Sequence, residues 1–265
     1  MPATQYDDNL KTASIAYLKD GPNDDLGPCG IFWLGGFMSD MNGSKAESLA
    51  DLARSTRRTC LRFDYSGHGQ SSGLFADGTI SQWLEEATHM FLAHTRNKRI
   101  IVGSSMGGWL AQLLASRLKA EDPSAFRRIA GMVLLAPATD MTLDLMWDRF
   151  SKDQKQEMAE NGFIRQPSQY GEAYTITLKL IEDGATHRML DKGLDLPFPV
   201  RILQGTEDVE VPPAHAAKTF DALRGPDITL SYIKGGDHRL STPLHLRLLR
   251  ETVLQLAERA DGTGV

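Results

Sequence analysis

The chain has 265 residues, 41% of them hydrophobic, enough to bury a large core in one α/β domain that carries an insertion. Its 29 Lys and Arg against 34 Asp and Glu leave a net charge of -5, spread along the chain rather than gathered into a basic stripe, which argues against a nucleic acid partner. The N-terminus carries charge where a signal peptide needs an unbroken apolar run, and no later run approaches a membrane span, so neither secretion nor stable membrane insertion is expected.

In chain order, Ala13–Leu18 (ASIAYL) reads as an antiparallel edge strand. After it come short apolar runs ending in Gly, Ser, Asp or Pro: CGIFWLGG (29–36), TCLRFDYSG (59–67), RIIVGSS (99–105), IAGMVLLAPA (129–138), PVRILQGTED (199–208) and ITLSYIKGGDH (228–238). Buried parallel strands have this form. Between them, residues 44–57, 79–95, 106–121, 213–225 and 243–260 repeat apolar side chains at three- and four-residue spacing, which predicts helices. The alternation predicts a mostly parallel, doubly wound α/β sheet. No internal repeat or low-complexity tract interrupts it. Cys29 and Cys60 fall in two neighbouring predicted strands, where free thiols act as small apolar residues, and a reducing, cytoplasmic compartment is expected.

One segment breaks the rhythm. Between the fourth and fifth of these runs, residues 139–196 span about 58 positions, too long for one crossover. A small helical cap inserted over the carboxyl edge of the sheet fits, leaving 1–138 and 197–265 as the core. Its start, DMTLDLMWDRF, concentrates Leu143, Leu145, Met146, Trp147 and Phe150; Met146 and Trp147 are candidates to touch an acyl chain, with ordinary packing the alternative.

The run GSSMG (103–107) is G-x-S-x-G between a predicted strand and a predicted helix. That context suits a nucleophile elbow: Ser105 on a sharp turn, with Gly103 and Gly107 where side chains would collide. A Gly/Ser turn capping a helix is the plainer reading. Ser104, out of phase with it, should be a structural residue. A serine hydroxyl needs a base, and the base needs an orienting carboxylate. Asp208 and His238 each end a later predicted strand, at the same sheet edge as Ser105, in the order serine, acid, histidine. Glu207, Glu210 and Asp237 are rival acids; Asp237 adjoins His238 and is poorly placed to reach its ring. The other histidines, His68 in a Gly-rich loop, His89, His94, His215 and His245 on predicted helices and His187 in the cap, have weaker claims. Oxyanion donors are expected from the backbone amides of Met106, at the helix N-terminus, and Phe37, just past Gly35–Gly36. Asp64, in DYSGHGQS, reads as a structural hydrogen-bonding residue.

Taken together, the elbow, RFDYSGHGQSSG, GTEDVEVP and GGDHR resemble the α/β-hydrolase superfamily. GGFMSDMNGSKAESLA, IIVGSSMGGWLAQLLA, VRILQGTEDVEVP and DHRL more narrowly resemble the mitochondrial palmitoyl-protein thioesterase and acyl-glucuronide esterase subfamily and its bacterial relatives, from about Gly30 to about Leu256. The resemblance places the nucleophile at Ser105, the acid at Asp208, the base at His238 and the oxyanion donors at Phe37 and Met106. It implies cleavage of acyl thioesters or activated esters, on a small molecule or an acylated protein, without cofactor or metal. No mitochondrial transit peptide is evident, which suggests a cytoplasmic bacterial protein. Amide hydrolysis and a non-catalytic ligand-binding role are the alternatives, and oligomeric state is not legible.

Overall fold

The computed structural model describes residues 2–11, 13–22, 27–168 and 171–262. The chain opens with β1 (Gln5–Asp7), β2 (Ile15–Asp20) and β3 (Gly30–Leu34), followed by α1 (Ser44–Ser55), β4 (Cys60–Phe63), α2 (Ile80–His94), β5 (Arg99–Ser104) and α3 (Met106–Glu121). A one-turn α4 (Pro123–Phe126) leads into β6 (Ile129–Leu135). After the insertion come β9 (Leu194–Asp195), β10 (Val200–Gly205), α7 (Pro213–Ala222), β11 (Leu223–Arg224), β12 (Ile228–Ile233) and α8 (Pro243–Asp261).

Eight strands form one sheet in the order β1-β2-β4-β3-β5-β6-β10-β12, parallel from β4 to β12 and antiparallel at β1 and β2. The Ala13–Leu18 segment is antiparallel as expected, but it is not the edge. The three-residue β1 lies outside it, too short to show any periodicity. Helices α1 and α8 cover one face and α2, α3 and α7 the other, so each face has its own apolar core. The central strands β3 and β5 are buried at every position, as a parallel sheet covered on both faces requires. Cys29 and Cys60 are free and buried, and burial pushes both thiols up to about 12.

Between β6 and β10 the chain leaves the sheet. It makes a π-turn at Thr142–Met146, a 3-10 turn at Trp147–Arg149 and the helix α5 (Lys152–Asn161). An antiparallel hairpin of β7 (Phe163–Ser168) and β8 (Gly171–Thr177) follows, and then α6 (Leu178–Ala185). The insertion is therefore not purely helical. Ile164 and Ile176, paired across the hairpin, are buried while Phe163 and Arg165 are exposed, a period-two pattern. Its register shifts between Gln166 and Ser168, next to Pro167, which interrupts the alternation in the sequence.

At the end of β5 the strand and α3 come together without room for side chains. A Cβ on Gly103 would stand 2.3 Å from the Gly107 carbonyl oxygen, and one on Gly107 would stand 2.1 Å from the Leu34 carbonyl oxygen. Between them Ser105 takes φ 54° and ψ -119°, a strained conformation for a residue with a Cβ. Gly107→Ala should lower stability by at least about 1–3 kcal/mol, read as the shift in urea midpoint, because the clash is with backbone that no rotamer change relieves. An unchanged midpoint would show that the elbow has slack.

Candidate active site

The strained turn is anchored on both sides. The Ser105 N–H donates to the Leu135 carbonyl at 2.9 Å, and the Ser105 carbonyl accepts from the amides of Gly108 at 2.9 Å and Ala138 at 3.1 Å. Ser105 Oγ is left facing His238, whose Nε2 lies 3.1 Å away. His238 Nδ1 lies 2.9 Å from Asp208 Oδ2. With Nδ1–H donating to the carboxylate, Nε2 is free to accept from the serine hydroxyl.

Asp208 is buried, its side chain 0% exposed, but its oxygens are occupied. Oδ1 accepts from the Val211 amide at 2.8 Å, and Oδ2 accepts from Gln204 Nε2 at 3.2 Å as well as from His238. Gln204, fully buried at the end of β10, also donates to the carbonyls of Gly205 and Val211, so it fixes the loop that carries the acid. Sequence reasoning did not single it out; its one signal was a polar residue inside an apolar strand.

The rival acids sit elsewhere. Asp237 Oδ1 accepts from the Leu240 amide at 3.0 Å and Glu207 is exposed. Glu210 comes near, its carboxylate lying with Asp208 and His238 in a group whose ligand atoms are all within 4.8 Å of one another. Such a grouping is what an imidazole–carboxylate pair beside a second carboxylate creates, and Asp208 spends its oxygens on His238, Gln204 and Val211.

Most other histidines have structural partners. His68 Nδ1 is 3.1 Å from the Ser66 carbonyl, and its ring packs among Tyr65, Phe75 and Trp83. Burial holds the His68 imidazole down at about 4. His215 donates to the Thr139 carbonyl, His187 bonds Ser81 Oγ, and His89 and His94 both meet Asp7. Asp64 accepts from the amides of Met41 at 2.6 Å and Gln70 at 2.8 Å, tying two loops together; burial raises its pKa against those hydrogen bonds. Ser104 is buried at the end of β5.

Phe37 and Met106 flank Ser105. Met106 opens α3, where the first amides have no partner within the helix. A Cβ on Gly36 would stand 3.4 Å from Ser105 Cβ, which puts the Gly36–Phe37 turn directly against the serine. The Phe37 ring is wedged between Phe75 at 4.8 Å and Tyr174 of β8 at 5.8 Å.

A cavity of about 700 Å³ opens beside Ser105 and His238. It is lined by the apolar Trp33, Phe37, Met38 and Ala46 and by Ser39, Lys45, Arg239, Ser241 and Thr242. Lys45 reaches across to the Arg239 carbonyl at 2.5 Å, and burial together with the Arg239 charge pushes its ammonium down to about 8. Asp40 and Asp237 also line this cavity, so its charged groups are of both signs. Met146 and Trp147 do not line it. They are half-buried against the main core, Trp147 edge-on to Phe150 and beneath Lys155 Nζ at 5.0 Å.

Comparison with known proteins shows the family. The model of the alpha/beta hydrolase family matches residues 30–251. The chain belongs to the α/β-hydrolase family. The human protein named palmitoyl-protein thioesterase ABHD10, mitochondrial, is 29% identical over 232 residues, covering 87% of this chain and 73% of the relative. A crystallised protein of Agrobacterium vitis S4 superposes with a TM-score of 0.91 at 41% identity, covering 97% of this chain and 99% of the other. Mouse alpha/beta hydrolase domain-containing protein 10 gives a TM-score of 0.83 at 26% identity, with the same coverage of 97% and 99%. These relatives support a hydrolase. Among the described residues no helix is long and apolar enough to cross a membrane.

Two outcomes follow from the site's geometry. Gln204→Leu removes one hydrogen bond to Asp208 and two to its loop, and should lower kcat by roughly 10-fold, about 1.4 kcal/mol, with KM nearly unchanged; an equal rise in KM would mean that Gln204 shapes substrate binding instead. His68 has the opposite reach, into stability. An unfolded imidazole protonates near 6.5 while the native one resists until about 4, so the unfolded chain binds more protons between those values. Stability should therefore fall as pH drops through that window and level off below it, and His68→Asn should lessen the fall by up to about 2 kcal/mol at pH 5, measured by urea unfolding.

Proposed function

We propose that the protein is a serine hydrolase that cleaves acyl thioesters or activated esters through an acyl-enzyme intermediate. The observation that carries this reading is the hydrogen-bonded series Ser105 Oγ, His238, Asp208 at the rim of a cavity large enough for a small ligand. In the proposed reaction His238 Nε2 accepts the Ser105 proton as Oγ attacks the acyl carbon. The imidazolium formed is stabilised by the buried Asp208 carboxylate, which also holds the ring in the required tautomer. Negative charge on the carbonyl oxygen is received by the amides of Phe37 and Met106. Collapse of the tetrahedral species expels the thiol or alcohol, which leaves with the proton held by His238. Water then repeats the sequence on the acyl-enzyme and frees Ser105.

The thioesterase name of the relatives favours a thioester. A thiolate leaving group also asks less of the general acid than an amine does. The cavity combines hydroxyls and the charged Lys45, Arg239, Asp40 and Asp237 with the apolar Trp33, Phe37, Met38 and Ala46, so it suits a polar leaving group and an apolar acyl portion alike. An acyl chain that contacts Met146 and Trp147 would have to extend outside that cavity, under the 139–196 segment, which we read as the cap on a core of 1–138 and 197–265. Free, buried Cys29 and Cys60 support a reducing compartment, a condition met by the expected cytoplasm and equally by the mitochondrial interior of the named relatives.

Ser105→Ala should abolish both p-nitrophenyl ester turnover and labelling by a fluorophosphonate, with far-UV circular dichroism unchanged, whereas Ser104→Ala should keep most activity. Absence of labelling in the wild type would favour a ligand-binding protein. Asp208→Asn should lower kcat by about 10²- to 10⁴-fold, or about 3 to 5 kcal/mol. A larger loss in Glu207→Gln, Glu210→Gln or Asp237→Asn would move the acid elsewhere. Turnover rates across matched acyl thioesters, oxygen esters and amides rank the three chemistries directly.

A further inference from the structure

At the opposite end of the sheet order from β12, three side chains from two elements meet at one point. Asp7, the last residue of β1, is buried, its side chain 2% exposed. Its Oδ1 accepts from the Asn9 backbone amide and from Asn9 Nδ2, both at 2.9 Å. Its Oδ2 faces two imidazoles, His89 Nε2 at 3.0 Å and His94 Nε2 at 2.5 Å, from the final turns of α2. The three ligand atoms all lie within 4.8 Å of one another. Strand β1 stands four strands from β5, about 19 Å across the sheet, so this cluster is separate from Ser105.

We propose that Asp7, His89 and His94 bind a divalent transition-metal ion of the zinc type. Two imidazoles and one carboxylate are a donor set that zinc takes, with solvent completing the coordination. Tetrahedral bonds of about 2.0–2.2 Å put ligand atoms roughly 3.3 Å apart, so the nitrogens and oxygen must separate by less than 1 Å to admit the ion. The supporting contacts are those a ligand set needs. Asn9 occupies the outer carboxylate oxygen and aims the other inward, and the Tyr17 ring lies 4.4 Å from the His94 ring and limits its rotation. The imidazoles, 24% and 20% exposed, leave water a route to the remaining coordination positions.

Charge points the same way. His94 is the last residue of α2, where the helix dipole presents partial negative charge, and Asp7 adds a full carboxylate to that end. Among the described residues its ion-pair partners are only these two histidines, which are cationic only when protonated. A divalent ion supplies the missing positive charge and clamps the short first strand to α2. Bound to the folded chain alone, it also raises stability by mass action.

The test is zinc titration of the chelator-stripped full-length protein, followed by calorimetry and by melting temperature. The expected result is one zinc per chain and a melting temperature several degrees higher. Binding should survive in His238→Ala, which removes the imidazole of the active-site group, and should weaken roughly 100-fold or more in His89→Gln and in His94→Gln. Cobalt(II) added to His238→Ala should give the intense visible bands of a four- or five-coordinate site, a reading that does not depend on whether the histidine variants fold. Three results would overturn the proposal: no stoichiometric zinc, zinc lost in His238→Ala but kept in the other two variants, or only the weak spectrum of hydrated cobalt. Asp7 would then be a hydrogen-bonded tie between β1 and α2 and nothing more.

Discussion

The molecule is organised around a contact that leaves no room for a side chain. Where β5 hands over to α3, the backbone of Gly107 meets the carbonyl of Leu34 on the neighbouring strand, and Gly103 meets the carbonyl of Gly107. That approach forces Ser105 into a positive φ, and the strain is held by three backbone hydrogen bonds to Leu135, Gly108 and Ala138. Two of those partners, Leu135 and Ala138, lie at or just beyond the end of β6. The turn is thus braced by the adjacent strand and the loop after it, which pass directly into the 139–196 segment. Register along β5 and β6 therefore fixes where the serine hydroxyl stands.

Around that point the polar groups are arranged in order of burial. The Asp208 side chain is fully buried and meets three donors, from Gln204, Val211 and His238, whereas His238 stays partly exposed. A buried carboxylate left without such donors would cost several kcal/mol, so the loop from Gly205 to Val211 is ordered by the same bonds that place the acid. The 38–46 turn is held in a similar way. Arg62, buried in β4, bonds Asp20, Glu47 and the Met41 carbonyl, and Asp64 accepts the Met41 amide. The turn that lines the cavity and the loop that carries the acid thus both rest on buried ionic or hydrogen-bonded anchors.

Much of this was legible in the sequence because parallel strands covered on both faces are continuous apolar runs, and each ends in small or polar residues at one edge. GSSMG, GTED and GGDH could be assigned to that edge without knowing any contact, and the structure brings Ser105, Asp208 and His238 within hydrogen-bonding distance there. What escaped has physical reasons. A three-residue strand such as Gln5–Asp7 shows no period, so Ala13–Leu18 reads as the edge in the sequence alone. The hairpin was hidden because Pro167 breaks its alternation. Gln204 was concealed by the apolar strand around it, since its partners Gly205, Asp208 and Val211 are near in sequence but only the folded loop turns them toward its amide. The apolar cluster at Met146 and Trp147 gave a composition but no direction, and composition does not say which side of a cavity a ring faces.

The inserted segment touches the site at two distant places. Tyr174 of β8 leans on Phe37, and Arg149 donates to the carbonyls of Val209 and Glu210, next to Asp208. A swing of this segment away from the sheet would break contacts both to the turn beside the serine and to the loop of the acid. The cavity beside Ser105 is lined by residues from 33–46, 104–105 and 237–242, none of them in that segment. A ligand of that cavity would therefore reach Ser105 beside Lys45 without displacing the segment.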